Sequence, residues 1–347
     1  MRLGDKWDFP GQKMIKFAFV FLLLFSLNAG ANSNSCVVLL YHNFSNATPK
    51  STSISPELFE QHLRYLQQND FKVLKLETMI KRLDKGFTDK CVVLTADDAY
   101  KSIVENAYPL LQKYQMPMSV FVSTDALDKK YKAMMTWQQV RDIDGQIIQF
   151  YNHTKSHQHL LKLDSGQIKT QIDYAQKRLN QELGVRQKIF AYPYGEANPV
   201  IIQQLKKLGY IVFGQHSGVV SASSNLQNLP RFPMAAEYAK MQSFKIKVNA
   251  LPMMVKNINF NPVFTQNPPT LTLEFNQTPS KHQKANLQCF FENSLANKVW
   301  QGDRKIKISA KKPLTQRRSK YNCTMPSGQK DKYYWHSVQW INPKIAE

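Results

Sequence analysis

Two stretches, CVVLLYH (36–42) and CVVLTADD (91–98), constrain the fold of this 347-residue chain more than any others. Each is a continuous apolar run that stops abruptly at ionisable residues. A strand covered on both faces has this composition, because neither side meets water. Such strands need crossover connections, and the sequence between them supplies helices. In SPELFEQHLRYLQQ, Ser55 is placed as N-cap and Pro56 as the first helical residue, and Leu58, Phe59, Leu63 and Leu66 form one apolar stripe. FKVLKL, MSVFVS, QIIQFYN, KIFAYPYG and YIVFGQHSG read as further strands. ETMIKRL, VENAYPLLQKY, TWQQVRDI, residues 165–183 and PVIIQQLKKLG read as helices between them. Regular βα alternation predicts a parallel sheet, and this many units predicts a barrel over residues 32–260.

The pattern changes near residue 260. NFNPVFTQNPP is rich in Pro and Asn and reads as a linker over 261–269. Beyond it, TLTLEF, NLQCFFE, KIKISA and YYWHSVQWI have strand composition with no helix between them. That predicts a small all-β sandwich over 270–347. The fold class is therefore α/β, a β/α barrel followed by a β-sandwich.

At the other end, Lys13 and Lys16 precede FAFVFLLLFSLNAGA, with Ala29 and Ala31 in an A-x-A arrangement. This predicts a signal peptide over 1–31 cleaved near Ala31, since the apolar part is short for a membrane span. Export to the periplasm or beyond implies an oxidising compartment, where an even count of four cysteines can pair. The formal net charge is +21, and the signal segment contributes little of it. Such a charge favours polyanions, either an anionic glycan or a membrane surface, and export argues against nucleic acid.

Barrel enzymes carry their chemistry at the carboxyl ends of the strands. Here those ends are His42, Asp97 and Asp98, His153 and His157, YPYG (192–195), and His216. Each alone is an ordinary cap or hydrogen-bonding residue; their joint occurrence signals a site. Two imidazoles and a carboxylate make a three-donor set with open positions for a divalent cation. The second carboxylate is left to take a proton from water.

VVLTADDAYKSIVENAYPLLQKYQMPMSVFVST, NHTKSH and AYPYGE together resemble the polysaccharide deacetylases with the NodB homology domain, carbohydrate esterase family 4. The likeness runs from about residue 36 to 256 and is strongest to the exported branch that deacetylates poly-β-1,6-N-acetylglucosamine. The resemblance implies a distorted barrel, one divalent metal, usually zinc, and removal of acetyl groups from N-acetylhexosamines of a polysaccharide. It implies Asp97 as general base, with Asp98, His153 and His157 as metal ligands. The backbone N–H of Tyr194 would serve the oxyanion hole, with Pro193 and Gly195 shaping its turn. Thr154 and Ser156 would then orient the ligands, and His159 has no assigned role.

This chain departs from the family pattern in places. TADDA replaces T-F-D-D-G, which requires negative φ at Ala99 and a neighbour to fill the space beside Ala96. Tyr192 stands where the family has arginine. The late Leu-x-His motif that supplies the general acid is not visible, and His216 is its expected substitute. Arg231, in LPRFP, is expected to orient a carboxylate or contact the sugar.

Cys36 and Cys91 each lie six residues before His42 and Asp97. If the two strands are neighbours in register, His42 lines the site beside Asp97 and Cys36–Cys91 is a disulfide. Both inferences fail if FKVLKL lies between the strands. Cys289–Cys323 is expected to clamp the sandwich. Trp300, Trp335, Trp340, Tyr333 and Tyr334 suit its core or a sugar-stacking platform. Lys311, Lys312, Arg317, Arg318 and Lys320 read as a basic loop. The expected function is an exported metal-dependent polysaccharide deacetylase. The alternatives are a non-catalytic glycan-binding protein, suggested by Ala96, Ala99 and the missing acid, or a carbohydrate O-acetyl esterase.

Overall fold

Six of the apolar runs lie side by side in chain order as parallel strands. They are Ser35–Tyr41, Cys91–Asp97, Met118–Val122, Ile148–Asn152, Ile189–Ala191 and Ile211–Phe213. The structure is a computed structural model that describes residues 35–46, 49–87, 90–292 and 294–346. The expected signal peptide and its cleavage point near Ala31 lie outside these residues. FKVLKL contributes only Lys72–Val73, which pairs with the start of the second strand and leaves the first two strands in direct contact.

The sheet curls, and a short irregular segment bridges its ends. Leu229 pairs with Phe213 of the sixth strand, while Phe232–Pro233 pairs with Leu39 and Leu40 of the first. The result is a distorted β/α barrel in which residues 229–233 close the gap.

Register decides what the barrel holds. Cys36 pairs with Cys91, Val38 with Val93 and Tyr41 with Ala96. Because successive side chains alternate in direction, Cys36, Val38, Cys91 and Val93 pack inward with Phe121, Tyr151, Ala191 and Phe213. Val37, Leu39, Tyr41, Val92, Leu94 and Ala96 pack outward beneath the helices. The fully buried Tyr41 is thus the cross-strand neighbour of Ala96 on this face, with its ring packed against Phe44 and Phe59. Thr95 and Asp97 continue the inward row.

The helices follow their local signals. Pro56–Gln68 begins with the Ser55 side chain accepting from the Leu58 N–H, and it buries Phe59, Leu63 and Leu66. Each such burial stabilises by roughly 1.5–3 kcal/mol. Ser165–Leu183 starts on a capping box between Asp164 and Gln167 and ends at Gly184 with φ +70°.

The C-terminal region is a sandwich of two sheets. One orders Leu251–Pro252, Tyr333–Ile341, Arg318–Pro326, Gln288–Phe291 and Ser294–Leu295. The other orders Val255–Ile258, Thr270–Phe275, Lys305–Ser309 and Asn297–Gln301. Several details differ from the sequence reading. Residues 251–258, read as part of the barrel, already hydrogen-bond into both C-terminal sheets. A short helix, Lys281–Asn286, capped by Ser280, interrupts the strands. Cys289 and Cys323 pair directly on adjacent strands of one sheet, so their disulfide ties those strands and does not clamp the two sheets together. The aromatic residues are largely spent on packing. Trp340 is buried against Phe260 and Tyr321, Trp300 stacks on Phe275, and Trp335 meets Phe232 edge-on.

The basic cluster lies in a loop only as far as Arg317. Lys311 and Lys312 are exposed, but Arg318 and Lys320 alternate along a strand whose Ser319, Tyr321 and Cys323 are buried. One face of this sheet therefore forms the sandwich core. The other meets the barrel, and the described residues form one compact unit.

Candidate active site

The first two strands end at a cleft of about 740 Å³ lined by His42, Asp98, His157 and Tyr194. The Cys36–Cys91 disulfide ties these strands at their other end, with Cα atoms 4.6 Å apart. Since Tyr41 pairs with Ala96, the next residues, His42 and Asp97, stand side by side.

Asp97 is fully buried and held by Arg231. Nη1 donates to Oδ1 at 2.7 Å and Nη2 to Oδ2 at 2.8 Å. Arg231 is itself 0% exposed, and its Nε donates to the Gly214 carbonyl. It belongs to the segment that closes the barrel, so its side chain runs across the interior to the second strand. Arg231 thus orients a carboxylate and, being buried, does not contact a sugar. Burial alone would raise the Asp97 pKa, but the Arg231 charge and its hydrogen bonds outweigh it and hold the carboxyl down at about 2.

Asp98 turns the other way. Its φ is +72° and that of Ala99 is +59°, so the requirement for negative φ at Ala99 is not met. An alanine in this region costs on the order of 1–2 kcal/mol relative to glycine. Burial and the neighbouring Asp97 charge raise Asp98 to about 6, against the opposing pull of His42.

His153 and His157 complete a three-residue cluster with Asp98. One donor atom from each lies within 4.8 Å of the others. Asp98 Oδ1 is 3.6 Å from His153 Nε2 and 3.3 Å from His157 Nε2. His153 Nδ1 donates to the Ala191 carbonyl at 2.8 Å, which fixes the tautomer and leaves Nε2 as an acceptor. That Nε2 is fully buried with no hydrogen-bond partner. Burial lowers the ring's pKa to about 3, so it is neutral. A neutral imidazole nitrogen, buried and aimed at a carboxylate and a second imidazole, is the chemistry a divalent cation requires. The cluster fits such an ion.

The expected supports act on the loop, not on the rings. Thr154 Oγ1 accepts from the His157 N–H, and Ser156 bonds Gln171. Thr154 and His157 both have positive φ, at 73° and 54°.

Pro193 and Gly195 flank Tyr194 in a tight turn where Tyr194 has φ +59°. Gly195 has φ +67°, and a Cβ there would fall 2.7 Å from Gln215 Cβ, so only glycine fits. The turn is held from the C-terminal sheet, a connection that sequence reasoning missed. Gln339 Nε2 donates to the carbonyls of Tyr194 and Gly195. Glu196, fully buried, accepts from both Arg317 nitrogens Nε and Nη2. Glu196 also meets His159, whose ring stacks on Tyr194 at 4.0 Å between centroids. Burial pushes Glu196 up, but the Arg317 hydrogen bond and His159 charge hold it below the ordinary glutamate value. The single sequence signal was a glutamate directly after YPYG.

His216 is not brought to this cleft. It lies in a separate pocket with Asn228, Asn257 and His336, and burial and the His336 charge lower its pKa to about 3.

Comparison with known proteins bears on the family and the fold. Residues 84–213 match the family model for polysaccharide deacetylase. The poly-β-1,6-N-acetyl-D-glucosamine N-deacetylase of Escherichia coli is 24% identical over 286 residues, covering 67% of this chain. The chain spans 42% of that relative's length. The Staphylococcus aureus enzyme of the same name is 26% identical over 238 residues, 65% of this chain and 82% of the relative. Among solved structures, Streptococcus pyogenes deacetylase PplD in complex with acetate superposes with a TM-score of 0.55 at 25% identity. It covers 58% of this chain and 93% of that one. IcaB from Ammonifex degensii shares the fold, with a TM-score of 0.53 at 22% identity over 60% and 95% of the two chains. The chain resembles the polysaccharide deacetylases, and residues 84–213 carry their family domain.

Proposed function

We propose that this protein is an exported, metal-dependent polysaccharide deacetylase that hydrolyses the acetamide of N-acetylhexosamine residues in a glycan. One observation carries the reading. A buried carboxylate, Asp97, clamped by a buried arginine, lies 3.9 Å from His153 of an Asp98–His153–His157 donor set, and Asp98 and His157 of that set line one open cleft. The relatives' names point the same way.

Asp98, His153 and His157 would hold the cation, and two imidazoles with one carboxylate suit zinc. Such a cation supplies Lewis-acid polarisation of the acetamide carbonyl and acidifies the attacking water. Asp97 accepts the proton that water loses as it adds to the carbonyl carbon. Arg231 keeps Asp97 ionised and fixes the direction of its free lone pairs. The Tyr194 backbone N–H donates to the oxyanion, a contact worth roughly 3–4 kcal/mol. Collapse breaks the C–N bond, giving acetate and an amine that must gain a proton. With His216 elsewhere, His42 is the imidazole in the cleft suited to give it. The exposed rings of Tyr131 and Tyr238 also line the cleft and offer flat surfaces to sugars.

Export is supported by the two disulfides, which persist in oxidising compartments. The test is to incubate the zinc-loaded protein with N-acetylglucosamine oligomers and measure acetate and free amine together. Equimolar release of both is expected. Acetate without amine, from O-acetylated sugars only, would make it an esterase. Binding with no release from any acetylated glycan would make it a binding protein.

A further inference from the structure

Arg318 and Lys320 project from the same face of one C-terminal strand into the cleft that holds Asp98 and His157. Neither has a part in the hydrolysis described above. Lys320 Nζ donates to the Gln215 carbonyl at 2.6 Å. Among the described residues, no carboxylate lies within 4.0 Å of it. The acids nearby are already engaged. Asp97 is held by Arg231, and Glu196 is shared by Arg317, His159 and, at 3.6 Å, Arg318 itself, which leaves Lys320 as the cation of the pair with no carboxylate beside it. On the opposite wall, Asp125 pairs with Lys129. The Arg318 guanidinium lies over the Tyr194 ring, 4.8 Å from its centroid, beside the turn that would receive the oxyanion.

A cation withdrawn from water is normally matched by a counter-charge. Lys320 instead has cations for neighbours: burial first, then the Arg318 and Arg231 charges, lowers its pKa to about 8. A site of this kind is relieved by an anion entering the cleft. A neutral N-acetylglucosamine polymer brings none, and its deacetylated product brings ammonium groups of the wrong sign.

We propose that Arg318 and Lys320 form an oxyanion subsite that takes a carboxylate or phosphate carried by the glycan beside the acetylated hexosamine. This rests on the deacetylase reading and adds to it a preference for acidic acetylated glycans over neutral ones. The C-terminal sheet is then part of the substrate-binding cleft and not an appended module.

The test separates binding from turnover. The full-length Asp97→Asn protein is titrated calorimetrically with three oligosaccharides of equal length. One is neutral N-acetylglucosamine, one alternates N-acetylhexosamine with a uronic acid, and one carries phosphodiester groups. At least one acidic oligomer is expected to bind about tenfold more tightly than the neutral one, the yield of one charge-assisted contact. Whichever acidic oligomer wins identifies the anion. Adding Lys320→Met should remove that advantage, and adding Lys320→Arg should keep most of it, which excludes a folding defect. The same three oligomers are then offered to the Asp97-containing enzyme. Absence of acetate from all of them would remove the deacetylase reading while the binding ratios still stand. Equal binding of neutral and acidic oligomers, or a preference that survives Lys320→Met, overturns the subsite.

Discussion

Arg317 grips Glu196 with two hydrogen bonds, Nε to Oε1 at 2.7 Å and Nη2 to Oε2 at 2.9 Å. The pair joins the C-terminal sandwich to the turn that carries Tyr194, and both side chains are buried. Removing Arg317 takes two hydrogen bonds from a buried carboxylate that keeps only His159 and the more distant Arg318 beside it. Arg317→Met should therefore cost about 3–5 kcal/mol in denaturant unfolding, whereas the Arg317→Met, Glu196→Leu double variant should recover much of it.

The same pair gives stability a defined pH dependence. The Glu196 pKa is lower folded than unfolded, so its contribution is complete above the ordinary glutamate value and is lost as pH falls through the folded one. The stability difference between wild type and Arg317→Met should shrink as pH drops below about 4. A difference independent of pH would show that Glu196 does not owe its charge to Arg317.

Arg231 sets the behaviour of Asp97 in a comparable way. Without the guanidinium, burial is opposed only in part, and the carboxyl rises from about 2. The acid limb of the kcat/KM profile should move to higher pH in Arg231→Met. Arg231→Lys, which keeps a charge but not two parallel hydrogen bonds, should lower kcat/KM by about 10²-fold through misorientation.

Gly195 allows no side chain. In Gly195→Ala the new Cβ would meet Gln215 at 2.7 Å with φ at +67°. We expect a loss of about 1–3 kcal/mol in stability and a fall in kcat larger than any change in KM, because the Tyr194 N–H is displaced. Circular dichroism would check that the fold persists.

Much of this was legible in the sequence because parallel strands carry an arithmetic. Cys36 and His42 are separated by the same even interval as Cys91 and Asp97, so register alone placed the disulfide at one end and the acid–imidazole pair at the other. The Asp98, His153 and His157 cluster was legible because its residues follow the carboxyl ends of the second and fourth strands of one parallel sheet. His216 also follows a strand, but the chain turns it toward Asn257 and His336 of the C-terminal region, and no local pattern encodes that packing. Ala99 was misjudged because φ depends on the loop that Met135 pins through the Ala99 carbonyl. The contacts of Glu196, Arg317, Gln339 and Lys320 were missed for a single reason: they form across more than 100 residues of chain.

The two disulfides are checked by peptide mapping without reductant, which should recover Cys36–Cys91 and Cys289–Cys323. Replacing Cys36 and Cys91 together with valine should lower stability by about 2–4 kcal/mol, since a loop of 55 residues is released in the unfolded chain.

The central claim is that Asp97 takes a proton from water beside the Asp98, His153 and His157 cluster. Acetate release from an N-acetylglucosamine oligomer, by the zinc-loaded protein and by its Asp97→Asn variant with matched zinc content, tests it most directly. We expect a fall of about 10²–10⁴-fold in the variant. Equal rates in the two proteins would contradict the account.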